Sequence, residues 1–269
     1  MKTKFMQILA ALILPISFII ILIILNAVPI TSISKYGLGG LLMTVIALLL
    51  TYITVIRDKT TFKKIGFQLD RKTPSRFIIG FLIGFVITAL MLALSISFSS
   101  LEISYNSKSS IQTVLLWLLA FFPLAYMEEI IFRGYAFTKI NNKFGIWPAQ
   151  ILLALLFTWY HDFTGASFLN QLLGPGIWAF IYGIAAIWSK GIALPTGLHM
   201  AINVILALVG QKDERHAIWN LEFPTDITPS LRTQTENIGL FMQLFVLIIA
   251  IILTEYYRRN KLKIDKELN

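Results

Sequence analysis

Long apolar runs separated by short polar stretches dominate the chain. Crossing a membrane takes about 20 helical residues, and eight runs reach or approach that length. They cover residues 5–30, 37–56, 77–99, 111–138, 146–161, 174–189, 192–210 and 238–257. Runs of this length are typical of spanning helices rather than of a soluble core. We therefore predict an all-α integral membrane protein with about eight transmembrane helices.

Composition agrees with this prediction. Of the 269 residues, 57% are apolar and 14% are charged, and the mean hydropathy is +0.74. A soluble domain carries about a quarter charged residues, so a water-soluble globule, a disordered chain and a nucleic-acid-binding module are excluded. The lack of cysteine excludes disulfides, catalytic thiols and thiolate metal ligands. Without a repeat or long linker, residues 1–269 are expected to form a single polytopic domain.

The distribution of lysine and arginine predicts the orientation. With both termini in the cytoplasm, 17 of these residues lie inside and 5 outside, and Arg133 remains within a helix. This asymmetry satisfies the positive-inside rule and accounts for the formal charge of +9 without nucleic acid. The first run is longer than a signal-peptide core and is expected to be retained as a helix. Membrane lipids are the expected partners, especially of the basic loop 57–76.

Three charged residues interrupt the fourth run. Glu128, Glu129 and Arg133 lie within six residues of an otherwise apolar span, where each ionisable group costs about 3 kcal/mol or more. Glu129 and Arg133 are four residues apart on one helical face, so they can form a buried ion pair. Glu128 lies about 100° round the helix and has no such partner in sequence. Because Glu128 is a surplus carboxylate, one without a cationic partner on its own helical face, we predict that it is a catalytic residue.

Two histidines and an asparagine lie in other runs. His161 ends the fifth run, and His199 and Asn203 lie four residues apart on one face of the seventh. Measured from the predicted helix ends at about 1.5 Å per residue, Glu128, His161 and His199 lie at similar depths. One polar site inside the membrane is the expected result.

These side chains suit hydrolysis by an activated water. Glu128 would act as the general base, His161 would help to hold the water, and His199 with Asn203 would stabilise the oxyanion of a peptide carbonyl. Alternatively, Glu128, His161 and His199 could ligate a metal such as zinc, which would activate the water. The sequence leaves both mechanisms open.

The ordered motifs resemble those of a known family. Glu128-Glu129-x-x-x-Arg133, then Phe157-x-x-x-His161, then His199-x-x-x-Asn203, on successive helices, look like the CPBP intramembrane proteases, the CAAX proteases and bacteriocin-processing enzymes also called Abi. The resemblance covers a catalytic core of about 111–210. It implies a CAAX-protease-like bundle with a polar cavity inside the membrane. The family includes both metalloproteases and metal-independent glutamate-type proteases, so zinc remains one of two alternatives.

The resemblance also implies a substrate class. We expect an endopeptidase that cleaves a membrane-associated or lipidated peptide or protein, in bacteriocin or pheromone maturation or in self-immunity. The Ile, Lys and Asn bias favours a bacterial plasma membrane. Two alternatives remain, a non-proteolytic scaffold or immunity protein of the same fold and an ion- or proton-coupled transporter. Many transporters are built from two repeated halves, and the sequence shows no such repeat, which weakens the transporter hypothesis.

Overall fold

Apolar helices make up most of the described chain. The structure is a computed structural model and describes residues 4–25, 35–67, 69–162 and 168–267. The α-helices are α1 Lys4–Leu25, α2 Gly40–Arg57, α3 Thr73–Phe98, α4 Ile111–Glu129, α5 Ala136–Phe144, α6 Ile146–Asp162, α7 Phe168–Gln171, α8 Ile177–Ser189, α9 Ala193–Leu208 and α10 Pro229–Glu267. Two short strands, β1 Glu102–Tyr105 and β2 Trp219–Glu222, form an antiparallel ribbon.

The predicted spans correspond to these helices. In the described ranges, six helical segments are long and apolar enough to cross a membrane: Lys4–Leu25, Gly37–Arg57, Thr73–Phe98, Ile111–Phe144, Phe168–Ser189 and Pro229–Leu262. Helices α6 and α9 have only 17 and 16 residues, fewer than the roughly 20 of a full crossing. The all-α, multi-pass membrane fold is confirmed, and the count of eight spans stays a prediction. Residues 26–30 of the first predicted run lie outside the described residues.

The predicted catalytic region lies at the centre of the bundle. In the spans Ile111–Phe144 and Phe168–Ser189, 56% of the residues in the most apolar 18-residue stretch are buried by the protein. The same share is only 17% in Thr73–Phe98 and in Pro229–Leu262. A helix at the edge of the bundle exposes one side to lipid, whereas a central helix is covered by protein. The difference in buried share therefore distinguishes central from peripheral helices. Polar side chains on α4 are therefore surrounded by protein.

Glycines bring α3 and α9 into close contact. A Cβ added at Gly197 would lie 2.1 Å from the Phe77 carbonyl oxygen, and one added at Gly80 would lie 2.0 Å from the Leu194 carbonyl oxygen. Neither distance leaves room for a side chain, so the two backbones touch as they do at small-residue contacts in membranes. Gly197 is two residues before His199, and the contact therefore fixes the height of that imidazole.

The two ends of the bundle differ. At one end, which we call the basic end, the loop after α2, the end of α5 and the turn between α8 and α9 meet. Gly66 accepts a hydrogen bond from the Ile192 amide there at 3.3 Å. The Asp58 cluster, consisting of Arg57, Asp58, Tyr135 and Lys139, also lies at this end, with Tyr135 and Lys139 donating to the Asp58 carboxylate. The β-ribbon covers the other end.

Candidate active site

The charged motif lies where α4 becomes irregular. Glu128 and Glu129 are the last two residues of α4, and a π-helical turn, Ile130–Tyr135, follows and carries Arg133. Gly134 leaves the helical conformation, with φ −74° and ψ −115°. Single π-turns inside helices occur frequently at functional sites. The predicted continuous helix over 111–138 is thus a helix, a wider turn and a second helix.

Glu129 and Arg133 form the predicted ion pair. Arg133 Nε lies 3.5 Å from Glu129 Oε2, and both side chains are fully buried. The guanidinium also donates to the Ala179 carbonyl oxygen at 3.3 Å and lies over the rings of Phe157 and Tyr182, 4.4 and 5.0 Å from their centroids. Cation–π contacts of this kind stabilise a desolvated arginine. Arg133 is therefore fixed in place by three helices besides its own turn.

Glu128 receives its partners from distant parts of the chain. The Tyr160 hydroxyl, on α6, donates to Glu128 Oε1 at 3.2 Å, and His199 Nε2, on α9, lies 3.5 Å from Glu128 Oε2. No cation pairs with Glu128 within the described residues. The surplus carboxylate that the spacing predicts is therefore held by a neutral hydroxyl and an imidazole.

His199 connects the two carboxylates. Its Nδ1 lies 2.9 Å from Glu129 Oε1, while its Nε2 faces Glu128, and its ring stacks on Tyr182 with centroids 4.5 Å apart. Because Glu129 pairs with Arg133, it acts as an acceptor, and Nδ1 donates to it. The Glu129–Arg133 pair thus orients the imidazole, and the imidazole reaches Glu128. We call Glu128, Glu129, Arg133, Tyr160 and His199 the carboxylate cluster.

His161 and Asn203 lie close to this cluster in sequence. His161 Nδ1 is 2.9 Å from the Phe157 carbonyl oxygen, so this nitrogen donates and Nε2 is the acceptor. The His161 ring makes edge contacts with Phe157 and Tyr160, with centroids 4.5 and 4.9 Å apart. Asn203 is buried one turn beyond His199 on α9. Four of the six predicted residues are in direct contact, and His161 adjoins them through the two aromatic rings.

Sequence reasoning missed the aromatic partners. Tyr160 hydrogen-bonds Glu128, and Tyr182 and Phe157 hold His199 and Arg133 from either side. A signal was available on α6, because residues 157, 160 and 161 follow the three-and-four spacing of one helical face. Tyr182 offered no comparable signal, since it becomes part of the site only when α8 packs against α4 and α9.

Three atoms of the carboxylate cluster are buried without a hydrogen bond to the described protein. They are Glu128 Oε2, Glu129 Oε2 and Arg133 Nη1. Buried polar atoms are hydrogen-bonded in the great majority of native structures, and leaving one unpaired costs about 1–3 kcal/mol. The cluster therefore has spare hydrogen-bonding capacity on both carboxylates, which suits contact with a water or a substrate.

The residues of the predicted metal set do not converge as ligands. Within the described ranges, no three His, Cys, Asp or Glu side chains are grouped as they would be around an ion. His199 Nδ1 is bonded to Glu129, and His161 Nδ1 contacts a backbone carbonyl. Zinc binding by Glu128, His161 and His199 therefore stays a prediction.

The described helices therefore bring two glutamates, a histidine and an arginine together inside a multi-pass helical bundle. Residues 110–205 match the model of a family described as Rce1-like, type II CAAX prenyl endopeptidase. The match includes all six predicted site residues and confirms the resemblance based on the motifs. It supports protease activity in general. A comparison with curated proteins finds no match.

Proposed function

We propose that this protein is an intramembrane endopeptidase that hydrolyses a membrane-associated or lipidated peptide or protein with a water activated by Glu128. The observation that carries the proposal is the position of this carboxylate. It is buried, it has no cationic partner in the described residues, and one of its oxygens makes no hydrogen bond. A carboxylate in such surroundings can accept a proton from a water and return it during the reaction.

The reaction can be written with the residues present. Glu128 takes a proton from water, and the resulting hydroxide attacks the peptide carbonyl carbon. Glu128 then passes the proton to the leaving amine as the C–N bond breaks, which produces a new carboxylic acid and a free amine. Tyr160, 3.2 Å from Glu128, orients the base. Asn203 donates its side-chain amide to the oxyanion. His199, held in position by Glu129 with Arg133, would stabilise the oxyanion through Nε2 once that nitrogen also carries a proton.

We further propose that no metal takes part. The arrangement supporting this proposal is the bond between His199 Nδ1 and Glu129, together with the direct approach of His199 Nε2 to Glu128. Treatment with a strong zinc chelator should leave the rate of peptide cleavage unchanged. Loss of cleavage with the chelator and its return with added zinc would show instead that the enzyme is a metalloprotease.

The proposed setting is a bacterial plasma membrane, with both termini in the cytoplasm. Substrates there would be precursors of bacteriocins or peptide pheromones, or peptides processed for self-immunity. Peptide profiling of membranes from cells with the wild-type protein and with Glu128→Ala would test activity and find the substrate together. We expect at least one fragment to disappear with the variant. Identical profiles, with equal amounts of inserted protein, would contradict proteolysis and favour a scaffold or immunity protein of the same fold.

A further inference from the structure

A basic cavity lies at the basic end of the bundle, and neither Glu128 nor Glu129 lines it. It has a volume of about 590 Å³ and lies between the loop after α2, the end of α5 and the turn between α8 and α9. Its lining includes Lys63, Lys64 and Lys190 and contains no acidic residue. Arg133 also contributes to the wall, but its guanidinium is held by Glu129. The three lysines therefore set the charge of the cavity.

The three lysines differ from the other cations at this end of the bundle in their ion pairing. Lys63, Lys64 and Lys190 make no ion pair with any described residue, in contrast to the cations nearby. The Asp58 carboxylate pairs with Arg57 and Lys139. On α10, Glu255 pairs with Arg258 and Arg259. Three like charges around one cavity repel each other, and an anion bound between them would relieve that repulsion.

Packing fixes the backbone that carries the lysines. Lys63 and Lys64 lie on a 3-10 turn, Phe62–Ile65, whose Ile65 is buried. On either side of the pair, Phe62 stacks on Tyr52 and Phe67 meets Tyr126 edge to face, with centroids 6.4 and 6.1 Å apart. The backbone that carries these two exposed lysines is thus in place beside the cavity before any ligand binds, so that only their side chains need to be ordered on binding.

Lys190 is also fixed by local structure. It ends α8 in the left-handed conformation, with φ 56°. The next two residues are tied to the neighbouring structure, because the amide of Gly191 donates to Ala186 and the amide of Ile192 donates to Gly66 across the turn. The turn therefore holds the third lysine opposite the first two.

A neutral polar side chain lies in the cavity wall. Asn141 is only 7% exposed, and its Oδ1 makes no hydrogen bond within the described protein. Thr138, Asn142 and Tyr257 add hydroxyl and amide groups to the lining. Three cations with neutral donors and a spare acceptor suit an oxyanion that also carries a hydroxyl group. An oxyanion together with a hydroxyl group is found in hydrogen phosphate and in a phosphoglycerol headgroup.

We propose that this cavity binds a phosphate group, either in the headgroup of an anionic phospholipid or as free phosphate. A volume of about 590 Å³ lies within the range of about 300–1,000 Å³ that is usual for ligand sites, and it can hold a phosphate with an attached glycerol. Lysine is a common phosphate ligand, acting as a point charge. Binding there does not require peptide hydrolysis, so the site can be tested whether or not the protein is a protease.

The test measures binding to the purified full-length protein in detergent by native mass spectrometry. The probes are phosphatidylglycerol, phosphatidylcholine and inorganic phosphate. We expect the wild type to bind phosphatidylglycerol or inorganic phosphate with a dissociation constant at least tenfold lower than that of a Lys63→Gln, Lys64→Gln, Lys190→Gln variant. Preference for phosphatidylglycerol identifies a lipid headgroup, and equal or tighter binding of inorganic phosphate identifies a free anion. Phosphatidylcholine should bind weakly because the lysines repel its choline cation.

A matched variant controls for surface charge. Lys59→Gln, Lys72→Gln and Lys143→Gln together remove the same three charges from exposed positions at the same end that do not line the cavity. Lys59, with φ 47°, matches the left-handed backbone of Lys190. This control should change binding less than twofold.

A second variant probes the cavity without removing a lysine. Asn142→Asp adds one negative charge to the wall and should weaken phosphate binding severalfold. Equal losses of binding in the two triple variants, or a wild type that binds neither phosphatidylglycerol nor inorganic phosphate, would overturn the proposal.

Discussion

Two charged clusters in this protein use the same kinds of side chain for different purposes. In the Asp58 cluster, Arg57, Tyr135 and Lys139 all donate to one partly exposed carboxylate. In the carboxylate cluster, two buried carboxylates share one arginine and one imidazole. In the first, both oxygens of the carboxylate accept hydrogen bonds. The second has carboxylate oxygens without hydrogen bonds in the described structure. Hydrogen bonds to both oxygens suit a structural role for Asp58, and the oxygens without hydrogen bonds deep in the bundle suit the proposed role of Glu128 as a base.

The largest effect on stability should come from breaking the ion pair of the carboxylate cluster. Arg133→Met would leave Glu129 buried without its cation, which costs about 3–5 kcal/mol in comparable cases. Chemical unfolding in micelles would measure the loss. Because the cost comes from the unpaired charge, Glu129→Gln combined with Arg133→Met should recover most of it. A double variant as unstable as Arg133→Met alone would contradict this explanation.

Disrupting the backbone contact between α3 and α9, beside His199, should give the second-largest loss of stability. Gly197→Ala places a Cβ where a carbonyl oxygen lies 2.1 Å away, so α3 and α9 must separate, at a cost of about 1–3 kcal/mol. Gly239→Ala, on α10, is the matched control, because a Cβ there meets nothing within 4 Å. It should be neutral or stabilising by up to about 1 kcal/mol, since alanine favours helix. Effects of the same sign in thermal unfolding would show that the close approach is unimportant.

The Tyr160 hydroxyl, which donates to Glu128, should affect the rate of peptide cleavage more than the stability of the fold. Tyr160→Phe removes the hydrogen bond to Oε1 and should slow peptide cleavage about tenfold, since one hydrogen bond to a charged group contributes about 1.5–3 kcal/mol. Tyr182→Phe keeps the ring that stacks on His199 and serves as the control, with a smaller change in rate. Steady-state kinetics would separate the two variants. A larger loss with Tyr182→Phe would show that the wrong tyrosine has been assigned to the base.

The smallest loss of stability should follow a substitution in the Asp58 cluster. Burial would raise the pKa of Asp58, but hydrogen bonds from Lys139, Tyr135 and Arg57 outweigh it and lower the pKa from its ordinary value of 3.8 to about 2. The folded-state pKa is depressed, so the stabilisation is complete above about pH 4 and is lost as the pH falls towards 2. Asp58→Asn should destabilise the protein by up to about 1 kcal/mol at pH 7, because the site is partly exposed.

Thermal unfolding between pH 7 and pH 2 would check this dependence. The difference between Asp58→Asn and the wild type should shrink in the acid range. The exposed Asp226 makes no ion pair with the described residues, so Asp226→Asn should match the wild type throughout. A difference between Asp58→Asn and the wild type that persists unchanged to pH 2 would contradict the pKa assignment.

The difference between the clusters was only partly visible in the sequence. Glu128, Glu129 and Arg133 lie within six residues, so helical periodicity was enough to predict one ion pair and one surplus carboxylate. The partners of that carboxylate were not predictable in the same way. Tyr160 and His199 meet Glu128 across separations of 32 and 71 residues, and that contact depends on how α6 and α9 pack. Periodicity carries no information about such packing.

Two features of the backbone were also missed. The π-helical turn Ile130–Tyr135 continues an apolar helical pattern without a break, so a regular helix was the natural prediction. The close contact of α3 with α9 rests on Gly80 and Gly197, and its effect on the height of His199 follows only from the paired backbones. The helices themselves, by contrast, follow from apolar length alone.

The central claim is that Glu128 is the reactive carboxylate and Glu129 is its support. Its most direct test is the cleavage rate of purified Glu128→Gln protein on a fluorogenic peptide that carries the site found by membrane profiling. The amide keeps the shape of the side chain but cannot accept a proton from water, so we expect a loss of at least about 100-fold with unchanged thermal unfolding. A folded Glu128→Gln protein that cleaves this peptide at the wild-type rate would contradict the claim.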